Sequence, residues 1–236
     1  MVVSAVAGSV LRGDPGLFKR AQRVWARGLL RFWGVELRVV GVENVDPNRS
    51  YVVMANHLSY VDIVALFVAL PVVPGFLAKK ELMRVPFLAA ALRHGGHVVI
   101  DRSSRSRAVE ALDRAADQVR EGRTVLIFPE GTRGDTDTVG RFKGGGFRLA
   151  RKAHVPILPV GLRGCRAIFP RKSMLIRSGV VEVHIGAPLA PEVAAELDYN
   201  EVTERVRGTV MRLSAMPARS VEDTGRPIRS APSSAT

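Results

Sequence analysis

One segment of the chain carries residues whose types and spacing suit acid–base chemistry. His57 is followed five residues later by Asp62. An imidazole that titrates near neutral pH can act as a general base, and a carboxylate on its other nitrogen fixes its orientation. This arrangement requires His57 on a loop and Asp62 in the first turn of the following helix. With Ser59, the same spacing also fits a capping box, in which Asp62 only stabilises the start of that helix.

Basic residues in two further segments are suited to binding phosphate. Arg102 and Arg133 each follow a predicted strand, and the planar guanidinium group binds phosphate through paired hydrogen bonds. Lys143 precedes three glycines at a predicted helix start, where backbone N–H groups can bind an anion. Any one of these among 35 basic residues would be interpreted as a solvated side chain. Their predicted convergence beside His57 favours a phosphate site.

Glu130 lies in a Pro–Glu–Gly turn directly after a predicted buried strand. A carboxylate in this position can bind a substrate hydroxyl, pair with a nearby arginine, or hold the turn together. The residues alone leave these roles open.

The pattern of the chain predicts the elements that must position these residues. Strands are predicted over Val35–Val40, Tyr51–Ala55, Phe76–Lys79, His97–Asp101, Thr124–Phe128, Pro156–Gly161 and Val180–Ile185, and helices over Ile63–Leu70, Pro86–Arg93, Arg105–Glu121, Phe147–Lys152 and Glu201–Leu213. This alternation predicts an α/β fold with a mainly parallel or mixed central sheet flanked by helices. Ligands bind such sheets beyond the carboxyl ends of the strands, where His57, Arg102 and Arg133 would lie.

An amphipathic helical element is predicted at the N-terminus, over Leu17–Trp33. A basic stripe beside an apolar stripe is typical of a helix in a membrane interface, although a helix docked on its own domain gives the same pattern. The basic stripe consists of Lys19, Arg23, Arg27 and Arg31, and the apolar stripe of Phe18, Ala21, Trp25, Leu29 and Phe32. We therefore predict a membrane-associating helical segment over 1–34, an α/β domain over 35–213 and a disordered Ser- and Pro-rich tail over 214–236.

The run Tyr60–Ala78 is the longest segment poor in charge. It carries Asp62, Pro71 and Pro74, whereas a spanning helix needs about 20 apolar residues without such breaks. We interpret it as a core helix, a turn and a buried strand, with a re-entrant or interfacial segment as the alternative.

Composition limits the class of protein. Hydrophobic residues make up 47% and charged residues 24% of the 236, which excludes a disordered chain, a collagen and a coiled-coil rod. A net charge of +13 indicates nucleic acid, an anionic membrane or a phosphorylated substrate as partner. No nucleic-acid-binding motif is present, and aromatic residues are only 6%, which argues against nucleic acid. The single cysteine, Cys165, excludes an internal disulfide and a Cys-based zinc site, and favours a reducing compartment such as the cytosol.

Four segments together resemble the sequence blocks of the glycerolipid acyltransferase superfamily, most closely its bacterial 1-acylglycerol-3-phosphate acyltransferases. Asn56–Asp62 resembles the NHxxxxD block and Phe128–Arg133 matches the FPEGTR block letter for letter. Gly96–Arg102 and Val155–Val160 resemble the second and fourth blocks, although His97 stands where many members carry another residue. The blocks occur in family order and together cover about residues 35–190.

The resemblance implies transfer of an acyl chain from acyl-CoA or acyl carrier protein to the sn-2 hydroxyl of lysophosphatidate, giving phosphatidate in phospholipid biosynthesis. It implies that His57 is the general base and that Asp62 orients it. It also implies direct transfer, with no cofactor, no metal and no acyl-enzyme, so Cys165 is interpreted as a small buried residue. The expected location is the cytoplasmic face of the cell membrane, as a peripheral or monotopic protein.

The resemblance also implies how the substrate is held. Arg133, with Arg102 and Lys143, would hold the phosphate, while Glu130, Gly131 and Thr132 would shape the glycerol site. Lysophosphatidylcholine, glycerol 3-phosphate or a lyso-aminolipid are alternative acceptors. A non-catalytic lipid-binding module and a nucleic-acid-binding protein are the alternatives of a different class, but neither needs His57 and Asp62.

Overall fold

The structure is a computed structural model that describes residues 15–84, 92, 95, 97–101, 103–134, 136, 138–171, 173 and 175–215. Arg102, most of the predicted helix over 86–93 and the tail from residue 216 lie outside the described residues. The helices are α1 (Pro15–Phe32), α2 (Val61–Ala69), α3 (Arg105–Arg120), α4 (Gly145–Ala153), α5 (Cys165–Ile168), α6 (Pro191–Glu196) and α7 (Tyr199–Ala215). The strands are β1 (Val35–Val40), β2 (Val52–Ala55), β3 (Gly75–Lys79), β4 (Val98–Ile100), β5 (Val125–Ile127), β6 (Ile157–Arg163) and β7 (Gly179–Ile185). Short 3₁₀ helices cover Val42–Asn44 and Lys80–Arg84.

Within the described residues, the strands form one seven-stranded sheet in the order β1-β7-β6-β2-β5-β3-β4. Strands β6, β2, β5, β3 and β4 are parallel to one another. The β6–β7 pair is antiparallel and β7 is parallel to β1, so β1 and β7 run against the other five. The carboxyl ends of β6, β2 and β5 therefore meet at one edge of the sheet, which we call the site edge. The sheet is mixed, which confirms the predicted fold class.

Side chains alternate between the two faces of the sheet and build two cores. On β2, Val53 and Ala55 pack in one core with α1, α2 and α5. Val52 and Met54 point the other way, into a second core with α3, α4, α6 and α7. This alternation follows from the two-residue period of a strand, and it places helices on both faces. The central strands are thereby shielded, which fixes the site edge rigidly.

Helix α1 packs on the domain and also keeps an exposed apolar strip. Its residues Phe18, Ala21, Ala26 and Leu30 are buried, and the helix contacts α2 and β1. Trp25 is 41% exposed and Phe32 is 86% exposed, so the predicted apolar stripe divides between the core and the surface. The other large apolar residues that remain exposed on α1 are Leu17 and Val24. Docking of this helix on its own domain is therefore compatible with the predicted contact of its exposed strip with a membrane interface.

The segment over 60–78 forms α2, a turn and β3, as the interpretation of a core helix, a turn and a strand predicted. In the part of the chain that is described, no helix has the length and the apolar composition to cross a bilayer. The sequence did not predict the short helices α5 and α6 or the two 3₁₀ helices, because each spans at most six residues and shows too few turns for a helical period. The predicted division at residues 34 and 213 stays a prediction.

Candidate active site

The site edge brings together the segments that the sequence singled out. The NHxxxxD segment follows β2, the FPEGTR segment follows β5, and β2 lies between β5 and β6 in the sheet. Because the three strands are parallel, the loops that leave them are neighbours. His57 and Glu130 are separated by 73 positions in the chain, yet they are hydrogen-bonded.

His57 and Asp62 form a hydrogen-bonded pair. His57 Nδ1 lies 2.7 Å from Asp62 Oδ2, and the Asp62 side chain is fully buried while that of His57 is 15% exposed. The carboxylate accepts from Nδ1–H, which leaves the lone pair of the neutral ring on Nε2. The His57 ring stacks on Phe128, with centroids 3.9 Å apart and an interplanar angle of 12°. The ring is thus held on one face and at one nitrogen, while its other nitrogen is available as a base.

Asp62 also organises the loop that carries His57. The same oxygen, Oδ2, accepts hydrogen bonds from the backbone N–H groups of Leu58 and Ser59 at 2.7 and 2.8 Å. Ser59 Oγ donates to Phe169 O at 2.8 Å and accepts from the N–H of Val61. One of the two bonds of the predicted capping box is therefore formed, the one from the Ser59 N–H to the Asp62 side chain. Asp62 stabilises the start of α2 and positions His57 at the same time.

Glu130 ties the two loops together through backbone groups. Its Oε1 accepts from the N–H of His57 at 2.8 Å, and its Oε2 accepts from the N–H of Gly140 at 2.9 Å. The N–H of Gly134 donates to His57 O at 2.8 Å. Of the roles considered for Glu130, this geometry corresponds to an acid that holds the turn, and the turn it holds is the one facing His57.

Gly131 and Lys143 are in close contact. Gly131 has φ +77°, and a Cβ added there would lie 2.9 Å from Lys143 Nζ. Glycine adopts this positive φ without strain, and a side chain here would collide with Lys143. The N–H of Lys143 donates to Pro129 O at 2.9 Å, which places the exposed Lys143 side chain over the turn. Thr132, next in the turn, is exposed.

Arg133 is half-buried and faces the His57 loop. Its guanidinium lies 4.1 Å from the ring centroid of Tyr60, a cation–π contact that fixes a long side chain. Arg171 Nη1 donates to Arg133 O at 3.2 Å and supports its backbone. Arg133 and Lys143 thus give this side of the loop a positive charge. Arg102, the third predicted phosphate ligand, lies outside the described residues.

No role was predicted for Asn56, but the structure shows one. Asn56 is buried; its Nδ2 donates to Leu162 O at 2.9 Å and its Oδ1 accepts from Leu162 N–H at 2.7 Å. These two bonds close the gap between the end of β2 and the end of β6. An Asn directly after an apolar strand is visible in the sequence. Its partner could not be predicted, because it lies 106 positions away.

Two other titratable residues, His97 and Cys165, support the fold. His97 Nδ1 accepts from the N–H of Phe76 at 3.1 Å, and burial lowers the pKa of His97 to about 4, so the ring is neutral. Burial, with the Asp62 carboxylate nearby, raises the pKa of the Cys165 thiol well above its usual value. A neutral, buried thiol is unreactive, which agrees with Cys165 as a packing residue.

A cavity of about 970 Å³ opens at Leu58, beside the loop that carries His57. It is lined by residues from the end of β6, from α5 and from the last turn of α7, and sequence reasoning did not single it out. Three arginines lie in its wall: Arg163, Arg166 and Arg171. Within the described ranges, no three His, Cys, Asp or Glu side chains cluster as metal ligands would.

Comparison with known proteins places this arrangement in a family. A family model described as Acyltransferase matches residues 36–163. Similar proteins include the 1-acyl-sn-glycerol-3-phosphate acyltransferase of Saccharomyces cerevisiae (33% identical, covering 82% of this chain and 65% of that protein) and that of Borreliella burgdorferi (31%, 76% and 72%). The chain thus spans about two thirds of the yeast relative. The crystal structure of the 1-acyl-sn-glycerophosphate acyltransferase PlsC from Thermotoga maritima is similar with a TM-score of 0.77 and 28% identity, and covers 90% of both chains. The chain belongs to the acyltransferase family.

Proposed function

We propose that the protein transfers a fatty acyl group from a thioester donor to the sn-2 hydroxyl of 1-acyl-sn-glycerol 3-phosphate, giving phosphatidate. The observation that carries the proposal is the His57–Asp62 pair, at 2.7 Å and beside the positive charge of Arg133. A base next to a phosphate-binding side chain suits an acceptor in which a hydroxyl and a phosphate lie on neighbouring carbons. The curated relatives that the chain resembles carry names for this activity.

In the proposed mechanism, His57 Nε2 accepts the proton of the hydroxyl as its oxygen attacks the thioester carbonyl carbon. The new C–O bond forms and the C–S bond breaks. The imidazolium then returns the proton to the leaving thiolate, so His57 ends the cycle neutral. Asp62 stabilises the imidazolium and keeps Nδ1 protonated, as a buried carboxylate does beside a catalytic histidine. The transfer is direct and forms no acyl-enzyme.

The phosphate of the acceptor would bind Arg133 and Lys143, with Arg102 as the third predicted ligand. A phosphate monoester carries close to two negative charges at neutral pH, and the planar Arg group matches its geometry. Glu130, Gly131 and Thr132 would shape the glycerol site, with Glu130 acting through the backbone that it holds. The contacts of Glu130 with His57 and Gly140 support this indirect role.

The cavity beside Leu58 is the candidate site for the acyl donor. Its volume of about 970 Å³ suits a large substrate, and it opens next to the loop that carries His57. Its arginines favour a donor that carries phosphate, as coenzyme A and the prosthetic group of an acyl carrier protein both do. The proposed donor is therefore a thioester that carries phosphate.

We also propose that the protein works at the cytoplasmic face of an anionic membrane. The exposed Trp25 and Phe32 lie on the same helix as the basic stripe, a combination typical of interfacial helices. The net charge of +13 favours an anionic surface.

The function is tested by direct competition between lysophosphatidate and lysophosphatidylcholine with one acyl donor. A pocket with Arg133 and Lys143 offers nothing to a quaternary ammonium group, which usually requires an aromatic cage. We expect a strong preference for lysophosphatidate in kcat/KM. Equal values for the two acceptors would reject the phosphate site, and no transfer to either acceptor from any thioester would reject the enzyme assignment.

A further inference from the structure

A second concentration of positive charge lies at the edge of the sheet opposite His57. A groove of about 520 Å³ runs between α1 and the loops that enter β2, β3 and β5. We call it the basic groove; its walls are Lys19, Arg20, Arg23, Val24 and Arg27 of α1, with 47–49, 71–73, Gly122 and Thr124. Those loops lead into parallel strands, so the groove lies at the amino ends of the strands. The site edge lies at their carboxyl ends, one strand length away.

The groove contains five cations and, among the described residues, no acidic side chain in its wall. Arg23 is fixed in place, since its guanidinium donates to Phe67 O, Leu70 O and Pro71 O. Asp46 is the carboxylate next to Pro47 in the chain, and it accepts from the N–H of Asn48 instead of pairing with a cation. The positive charge is therefore concentrated, and at Arg23 it is held in position.

Concentrated charge of one sign is costly when it is half-buried. Burial, together with Arg123, lowers the pKa of Lys19, and burial, together with Arg27, lowers that of Arg23. A bound dianion would remove this cost. Arg27 and Arg49 are exposed and form no ion pair with any described residue, so their guanidinium groups are available to bind an anion.

We infer that the basic groove binds the phosphate monoester headgroup of a membrane lipid such as phosphatidate, at a site distinct from the catalytic one. The surface beside the groove favours a lipid over a free phosphate. Val24 lines the groove and is 56% exposed, and it continues into the apolar strip formed with Leu17, Trp25 and Phe32. A headgroup in the groove would leave its acyl chains beside this strip. The inference goes beyond the proposed reaction and does not depend on it, but it rests on the proposed association of α1 with an anionic membrane.

The test compares vesicles that contain phosphatidate with vesicles that contain phosphatidylglycerol, adjusted to equal surface potential. All proteins carry Arg133→Ala, so that the active site contributes as little as possible to binding. The groove variant is Arg27→Gln with Arg49→Gln, because neither side chain supports the fold. The control is Arg114→Gln with Arg205→Gln, which removes the same charge from exposed positions on α3 and α7.

We expect the protein with an intact groove to bind phosphatidate vesicles about tenfold more tightly than phosphatidylglycerol vesicles, since a charge-assisted bond is worth more than a factor of ten. The groove variant should bind both vesicles equally, and the control should keep the preference. Circular dichroism shows whether each variant is folded. A protein without the preference, or a groove variant that retains it, would overturn the inference.

Two competitors distinguish a lipid headgroup from the other ligands that could bind the basic groove. Inorganic phosphate that displaces the protein equally from both kinds of vesicle would identify a free phosphate site and reject the lipid. Displacement by an acidic carrier protein, lost in the groove variant but not in the control, would identify a protein-docking surface and also reject it. Acyl transfer is not measured in any arm, so the result is independent of the proposed reaction.

Discussion

At the scale of single residues, one carboxylate oxygen determines the geometry of the loop that carries His57. Asp62 Oδ2 accepts from His57 Nδ1 and from the backbone of Leu58 and Ser59. Three donors offset much of the cost of burying the charge. The charge that orients the base is therefore the charge that holds the loop, and a change at Asp62 affects both.

Replacing the base should abolish most of the activity. His57→Ala is expected to lower kcat by roughly 10²–10⁴, the usual contribution of general-base catalysis, while the fold is retained. Asp62→Asn should lose less activity than His57→Ala and some thermal stability as well, because the helix start is weakened by about 1 kcal/mol. Steady-state kinetics and circular dichroism measure the two effects. His154→Asn, at an exposed histidine, is the control, and near-normal turnover in His57→Ala would reject the mechanism.

Arg133 should decide between acceptors. Arg133→Ala is expected to cost about 2–4 kcal/mol in kcat/KM for lysophosphatidate, by analogy with the loss of one partner of a charge pair. Arg133→Lys should recover only part of this, because an ammonium group cannot form paired bonds. Arg114→Ala serves as the control. The same loss for lysophosphatidylcholine would show that Arg133 does not bind the phosphate.

At the scale of elements, the junction between β2 and β5 forms the site. Glu130 reaches the backbone of His57, the N–H of Gly134 bonds to His57 O, and Phe128 stacks on the His57 ring. These contacts join loops that leave adjacent parallel strands. The position of the base thus depends on the FPEGTR turn as much as on its own loop.

Glu130→Gln tests this dependence. The amide replaces one acceptor oxygen with a donor, so either His57 or Gly140 loses the partner of its N–H, at a cost of about 1–3 kcal/mol. We expect a lower free energy of unfolding and a lower kcat, with a smaller change in KM, because the base moves while the phosphate ligands remain. Denaturant unfolding and kinetics measure this, with the exposed Glu196→Gln as control. An unchanged kcat would show that His57 is positioned without Glu130.

The bond between β3 and His97 should make stability depend on pH. Burial lowers the pKa of His97 from 6.5 to about 4, so between these values the unfolded chain binds a proton that the folded protein does not. Above pH 6.5 the ring is neutral in both states, and His97 does not lower the free energy of unfolding. As the pH decreases from 6.5 towards 4, the free energy of unfolding falls by on the order of 3 kcal/mol. His97→Gln keeps an acceptor for the Phe76 N–H and should show a flatter profile. Parallel stability profiles for the two proteins would contradict the prediction.

At the scale of the whole molecule, the sheet separates two charged regions. The site edge carries Arg133 and Lys143, and the opposite edge carries the basic groove. Helix α1 connects the two edges. Its residues between Lys19 and Arg27 line the groove, and its end leads into β1. The start of β1 pairs with the start of β7, which lies near the end of β6. Helix α1 is therefore the element through which the proposed membrane association would act on both edges.

Membrane binding should depend on the exposed aromatic residues of α1. Trp25→Ser with Phe32→Ser is expected to weaken vesicle binding by on the order of 2 kcal/mol or more, the value of burying one large apolar side chain. Stability should change little, because both side chains are exposed. Vesicle sedimentation measures binding, and Met211→Ser on α7 is the control. Arg23→Gln would be a poor test, since Arg23 binds three backbone carbonyls. Equal binding by the double variant and the parent would exclude this strip from the interface.

Most of the fold could be predicted from the sequence, and the candidate site residues stay a prediction. Strand and helix periods are local properties, so β1, β2 and α3 begin and end within one or two residues of their predicted bounds. The strand order and the reversed direction of β1 and β7 could not be predicted, because they depend on contacts between distant segments. Asn56 and Glu130 were visible as unusual polar residues after strands, yet their partners were not.

The sequence by itself determined an α/β chain with its candidate catalytic residues after β2 and β5, because alternation and residue type are encoded locally. The tertiary structure decided how those residues act. It showed that Glu130 holds the backbone of His57, that Arg23 holds the end of α2, and that Arg49 of a separate loop lies in one groove with four cations of α1. Hydrogen bonds and charge clusters form between residues far apart in the chain. Their formation depends on which strands become neighbours, and that is fixed only when the two cores pack against the sheet.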